Sequence, residues 1–289
     1  MLGVIGIVLV VVLVFGGYVF SGGKIEILME ALPHELPMIL GGSVGAYLVS
    51  NKSTVLKKTM GECMRSFKSP QWNKQDYKDL LCLLYILCKL MKSKGLIAVE
   101  QHIEKPAESS IFSQYPRILK DHFAIGLICD TLRTLTMGLE NPQQIEDIIE
   151  KQIEKHHHEA TGPGHALQIM ADGLPAIGIV VAVLGVIKTM SSINQPPEIL
   201  GRMIGGALVG TFMGVFLSYC IVGPIASKNL AMFHEEQQFY FIIRDVLVAH
   251  LKGMAPQISM EMGRGHIPGH LQPKFSEMEE LAGTLKIEG

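Results

Sequence analysis

The first twenty residues of the chain carry no charged side chain and read LGVIGIVLVVVLVFGGYVF after the opening methionine. A hydrocarbon core is crossed by ~20 apolar residues in helical form. A run of this kind belongs in lipid or in a protein interior, not on a wetted face. A cleaved signal peptide is the competing reading. No basic segment precedes the run, and it exceeds a signal peptide's apolar segment of ~7–15 residues, so residues 1–20 are expected to form a membrane span. Three more uncharged stretches follow. Leu36–Ser50, taken from Pro33, is just long enough to span (33–50), with His34 and Glu35 at one membrane face and a small-residue face of Gly41, Gly42, Gly45 and Ala46. GLPAIGIVVAVLGVIKTMSSI lies within 172–193 and IGGALVGTFMGVFLSYCIVGPIA within 201–227.

Between the second and third stretches the material changes. Residues 51–171 are rich in Lys, Asp, Glu and Gln. Within them Leu80, Leu83, Leu84, Leu87, Leu90 and Met91 recur at helical spacing over Tyr77–Met91. Arg117–Leu139 is a further helix candidate. Asn141-Pro142 reads as N-cap and first helical residue, and Gly162-Pro163-Gly164 is expected to break the helix that follows. After the fourth stretch, residues 228–289 continue as an amphipathic helix stopped at Gly253, then as an irregular Pro- and Gly-rich tail. The expected fold is all-α: a polytopic membrane protein with four transmembrane helices and a helical cytoplasmic domain inserted between the second and third. Lys52, Lys57, Lys58 and Arg65 follow the second span and Lys228 the fourth, which puts the insert, the tail and both termini inside.

Charged residues make up 18 % of the chain, below the ~25 % of soluble domains, and mean hydropathy is +0.31. A net charge of −2 with no basic stripe points to no nucleic-acid partner. Cys63, Cys82, Cys88, Cys129 and Cys220 are odd in number and irregularly spaced. They read as reduced, buried thiols, not as a disulfide framework.

No nucleotide loop, nucleophile elbow or zinc spacing occurs, so the chain is not expected to be an enzyme. His156, His157 and His158 are adjacent, and adjacent helical positions diverge by ~100°; they read as a solvated face, as do Glu140, Glu146, Glu150 and Glu154. The spans are informative through what they lack. Ionisable groups in a bilayer usually mark ion paths, yet no Asp or Glu is expected inside any span, with Glu35 at a membrane face and Asp172 and Glu198 at span ends. Either the chain conducts nothing or a partner helix supplies the acid. Pro175 and Pro224 each remove a backbone donor, and freed carbonyls can line a cavity. Thr211 offers a hydroxyl in mid-span; a bond to its own helix backbone is the alternative use of that hydroxyl.

DGLPAIGIVVAVLGVIKTM followed by GALVGTFMGVFLSYCIVGPIA resembles the paired third and fourth spans of the MotA family of flagellar stator subunits. GLIAVEQHIEKPAESSIFSQYPRIL resembles the family's segment after its loop helix, and APQISMEMGRG and PKFSEMEE resemble its tail, so the likeness covers nearly the whole chain. It implies a homopentamer in the inner membrane around a dimer of a MotB-like single-span partner whose aspartate carries the ion, turning against the rotor protein FliG. By the same resemblance Lys92, where the family often has Arg, and Glu100 are rotor-binding, and Pro175, Pro224 and Thr211 belong to the channel. Ala182 stands where sodium-type relatives have threonine. Na⁺ must exchange its water for oxygen ligands and a methyl offers none, so the expected ion is H⁺, with no cofactor. The ExbB and TolQ energisers of outer-membrane processes share the channel helices and are the alternative; the fourth span and the large insert favour the stator family.

Overall fold

The structure is a computed structural model that describes residues 2–67 and 71–285. All regular structure among them is helical. The order is α1 (Leu2–Phe20), α2 (Ile25–Ser50), α3 (Ser53–Arg65), α4 (Lys74–Lys94), α5 (Ile97–Glu104), two 3₁₀ turns, α6 (Pro116–Leu119), α7 (His122–Thr136), α8 (Pro142–Met190) and α9 (Pro197–Phe216). A π-turn over Leu217–Val222 leads into α10 (Gly223–Leu251), followed by α11 (Pro256–Gly265) and α12 (Phe275–Thr284). The helices divide into two compact units, Met1–Ser69 with Ala160–Met232, and Pro70–Glu159 with Phe233–Gly289.

The first unit holds the apolar stretches. Three helical runs are long and apolar enough to cross a membrane: Gly3–Phe20, and parts of Pro142–Met190 and Pro197–Leu251. α2 is not among them, because its first half carries Glu26, Glu30, His34 and Glu35. It begins at Ile25, well before the expected Pro33, and Pro33 and Pro37 lie inside it. Four residues apart, the prolines share an exposed face, so the carbonyls they leave without donors are not trapped in the core. The opposite face is the buried series Ala31, Glu35, Ile39 and Ser43, again four apart.

Close packing in this unit is made by small residues. A Cβ on Gly178 would lie 2.8 Å from the carbonyl oxygen of Gly210, and one on Gly214 would lie 2.7 Å from that of Leu174, so α8 and α9 meet backbone to backbone. Lipid gives apolar helices no hydrophobic reason to associate, and small residues let dispersion and dipole contacts act at short range instead. The small residues of α2 play less of this part than expected. Gly41 and Gly45 have open space around them, and only Gly42 approaches a neighbour, Ile177.

Gly162-Pro163-Gly164 does not break α8, which runs unbroken through both Pro163 and Pro175. A Cβ on Gly164 would meet Asn229 Oδ1 at 2.7 Å. The tripeptide is thus a site of close approach to α10. Asn229 Nδ2 in turn donates to the Ser66 hydroxyl at 3.0 Å and to the Glu62 carbonyl at 3.2 Å, fastening the end of α3.

The second unit is built on α4. Asn73 caps it with a reciprocal box: the Asn73 side chain accepts from Gln75 and Asp76 amides while Asp76 accepts from the Asn73 amide. From Tyr77 to Cys88 nearly every side chain is buried. The helix is therefore surrounded, not amphipathic as its leucine spacing suggested. Around it pack Val99 and Ile103 of α5, Leu127 and Leu132 of α7, Ile145, Ile149 and Ile153 of α8, and Phe239, Ile243 and Leu247 of α10. Trp72 stacks on Phe239 at 4.0 Å between ring centroids.

The helix expected over Arg117–Leu139 is split. Asp121 ends α6 and caps α7, accepting the Ala124 amide at 2.7 Å on one oxygen and Gln71 Nε2 at 2.9 Å on the other. Asn141 caps α8 as expected, accepting from Gln143 and Gln144 amides. Gly253 stops α10 with φ +86. The tail is not irregular: α11 and α12 pack on α4, and Lys78 pairs with Glu277. All five cysteines are unpaired; Cys82, Cys88 and Cys129 are buried. His156 stacks on Phe123 at 3.8 Å instead of facing solvent, and Glu146 and Glu150 pair with Lys252 and Arg244.

Candidate functional site

Pro175 and Ala182 on α8 are two turns apart, and Thr211 on α9 lies between Gly210 and Gly214, the residues that bring the two helices together. Ala182 is 8 % exposed, and Pro175 and Thr211 are half-buried. The Ala182 amide nitrogen would be 3.3 Å from a Cβ on Gly210, so Ala182 and the backbone before Thr211 are in direct contact.

Other hydroxyls in these helices are spent locally. Ser43 donates to the Ile39 carbonyl at 2.7 Å and Thr189 to that of Gly185 at 2.9 Å. Thr211 makes no such bond among the described residues. Its hydroxyl is held in position by its helix yet left open to another group.

Pro224 is exposed and follows the π-turn directly. A proline cannot donate to the preceding turn, and a π-turn is a common way for a helix to absorb such a defect. Ser218, buried in that turn, has its carbonyl oxygen 2.8 Å from where a Cβ of Gly223 would stand, so only glycine fits before the proline.

Glu35, expected at one membrane face, lies within α2. Because this helix starts at Ile25, Glu35 falls in its interior, on the buried stripe. Glu35 is 7 % exposed. Its Oε2 would be 3.1 Å from a Cβ on Gly210 and its Oε1 3.8 Å from one on Gly185, so the carboxylate lies over the glycines of α8 and α9. Oε2 has no hydrogen-bond partner among the described residues. The signal was in the sequence as the four-residue series Ala31, Glu35, Ile39 and Ser43, but Pro33 read as the start of the helix and hid it.

In the second unit, Lys92 lies in the last turn of α4, where a cation complements the helix C-terminus. Gly95, with φ +81, turns the chain into α5. Val99 and Ile103 hold α5 in the core, which leaves Glu100 outward. Lys92 and Glu100 are both exposed, and neither forms an ion pair among the described residues. One turn further on, Glu104 is committed to Arg133 at 2.9 Å.

Residues 4–95 match the family model described as Motility protein A N-terminal, and residues 121–240 match that of the MotA/TolQ/ExbB proton channel family. The chain is 38 % identical over 286 residues to Motility protein A of Salmonella typhimurium, covering 99 % of this chain and 96 % of that one. It is 36 % identical, with the same coverage, to Motility protein A of Escherichia coli. The chain belongs to the motility protein A family. Its fold is that of a solved complex, C. jejuni MotAB, at a TM-score of 0.73 and 18 % identity, covering 92 % of this chain and 95 % of that one. Near-full-length likeness to motility proteins sets it within the motility protein A branch of the wider proton channel family and apart from the ExbB and TolQ energisers.

Proposed function

We propose that this protein is the channel-forming stator subunit of a bacterial flagellar motor, in which ion flow does mechanical work on a rotor. The observation that carries the reading is the near-full-length identity to motility proteins, together with a glycine-cleared contact between α8 and α9 that presents Pro175, Ala182 and an uncommitted Thr211 hydroxyl. α1, α2, α8 and α9 cross the inner membrane, α2 with Glu35 turned toward its own bundle, and both termini are cytoplasmic. Copies of the chain assemble, as a pentamer, around a single-span MotB-like partner that brings a membrane aspartate. The exposed apolar side chains Val183, Ile187, Leu208 and Val215 provide faces for lipid, other copies or that partner.

The transported ion is H⁺, because the methyl of Ala182 supplies no oxygen ligand for a dehydrated Na⁺. A membrane potential delivers ~2.3 kcal/mol per charge per 100 mV. That suffices to bias a two-state packing by a useful factor but not to unfold a domain. Pro175 and Pro224, each of which removes one backbone donor from its helix, are the points at which α8 and α10 can flex. Lys92 and Glu100, which form no ion pair among the described residues, meet complementary charges on a rotor protein of the FliG type.

Swimming assays of cells carrying single substitutions test this. Thr211→Val and Pro175→Ala are expected to abolish or strongly reduce swimming while the protein stays in the membrane. Glu100→Lys is expected to impair motility with assembly intact. Normal swimming in both Thr211→Val and Pro175→Ala would remove the channel assignment, and normal swimming in Glu100→Lys would remove the rotor contact. Co-purification with a partner bearing a peptidoglycan-binding domain supports the stator reading.

A further inference from the structure

A cavity of about 230 Å³ opens beside Glu35, lined on α2 by Glu30, Ala31 and His34, on α8 by Gly185, Lys188 and Thr189, and on α9 by Arg202, Gly206 and Ala207. Its charged groups are therefore Glu30, His34 and Glu35 from α2, Lys188 from α8 and Arg202 from α9. Arg202 is already engaged with Glu30 at 3.6 Å, and no ion pair closes on Glu35 among the described residues. The volume holds several waters, which need polar partners to be retained. Those partners line it.

An ionised carboxylate that is buried without a hydrogen bond or counter-ion is costly, and such groups take up a proton or acquire a partner. Here the carboxyl group borders the cavity beside Gly185, its unpartnered Oε2 is buried against Gly210, and its room is made by these two glycines, which a larger residue would close. An acid kept there for packing alone is the poorer explanation. Leucine or methionine would fill the same space on a stripe of Ala31, Ile39 and Ser43 without the desolvation cost.

We infer that Glu35 is a proton-binding site on the intake side of the ion path, loaded from water in the vestibule beneath Lys188 and Arg202. This rests on the stator reading above. The step is a simple transfer. The carboxylate takes a proton from a hydronium ion in the cavity, forming its O–H bond and releasing water, and later gives that proton to a carboxylate on the partner's span. The ring of Lys188 and Arg202 at the mouth keeps other cations from dwelling there, while the Glu30–Arg202 pair offsets part of that positive charge.

The test uses the whole stator complex in cells, with its partner present and unplugged so that proton flux can be read by a cytoplasmic pH reporter. Glu35→Gln is expected to lower flux by about tenfold, the lower end of what charge focusing contributes to ion capture. The deficit should grow as external pH is raised and protons become scarce. Glu35→Asp, which keeps the acid on a shorter arm, should recover part of the flux. Wild-type flux and pH profile in Glu35→Gln overturn the inference. Equal loss in Glu35→Gln and Glu35→Asp does so too, since that marks a packing role. Should the Gln variant fail to accumulate, infrared spectra of the wild-type and Glu35→Asp complexes decide: a carboxylic-acid band that titrates and shifts between the two supports the site, and its absence overturns it. Loss of flux in Thr211→Val with normal flux in Glu35→Gln defeats this inference alone; normal flux in both defeats the channel reading itself.

Discussion

The two units solve the packing problem with opposite materials. In the first, α8 and α9 touch through Gly178, Gly210 and Gly214, and large apolar side chains such as Val183, Ile187 and Leu208 point outward. In the second, Tyr77, Leu80, Leu84 and Leu87 of α4 are fully buried, and close backbone approach is rare. The difference follows from the solvent. Water drives large side chains inward at ~25 cal/mol per Å² of buried apolar surface. Lipid tails do not, so helices in lipid associate by what their backbones can reach. It also explains where charge is tolerated. The second unit pairs its partly buried charges: Asp76 with Arg117 at 3.0 Å, and Arg244 with Asp245 at 2.8 Å. The first leaves Glu35 Oε2 without a hydrogen-bond partner among the described residues.

The sharpest way to break this contrast is Gly214→Val. The new side chain would have to displace backbone, not a flexible side chain, and overpacking against an immovable neighbour costs ~1–3 kcal/mol or more. Loss of the protein from membrane fractions is expected; normal accumulation would show that α8 and α9 are not in contact at this level. Leu84→Ala probes the opposite material. Removing a fully buried leucine costs ~2–5 kcal/mol, read as a lowered unfolding temperature of the purified complex with membrane insertion retained. A shift no greater than that of a surface substitution would mean that α4 is not central.

Asn73→Ala deletes half of a capping box and is expected to cost ~1 kcal/mol, measurable as faster exchange of the amides of the first turn of α4. Unchanged exchange there would refute the box. The smallest effect is chemical. Burial pushes the Cys88 thiol up to about 12 and the Cys82 thiol to about 11, so little thiolate exists near neutral pH. Alkylation is expected at the partly exposed Cys63 first, and at Cys88 only after unfolding. Early labelling of Cys88 would place it outside the core.

Much of this was legible in residue order. The apolar runs marked α1, α8 and α9, Asn141 marked the start of α8, and Gly253 marked the end of α10, because each signal is local: a hydropathy window, a side chain that accepts its own next amides, a residue free to take positive φ. The resemblance in the paired third and fourth spans then named the family, which likeness along almost the whole chain established. Prolines were where local reading failed. Pro33 and Pro163 each read as a boundary, yet each lies within a helix, since a missing donor is tolerated when neighbouring turns are held by tertiary contact.

Sequence by itself determined that this chain is helical and partly built for lipid, because composition and period act residue by residue. It also carried the family, because the motifs of the paired third and fourth spans, the insert and the tail stand in a recognisable order. Only the tertiary structure decided what Glu35 faces, that Gly162-Pro163-Gly164 is a contact and not a break, and that α4 is enclosed on every side. Those depend on which helices approach one another and how closely, and that distance is fixed by partners remote in the chain.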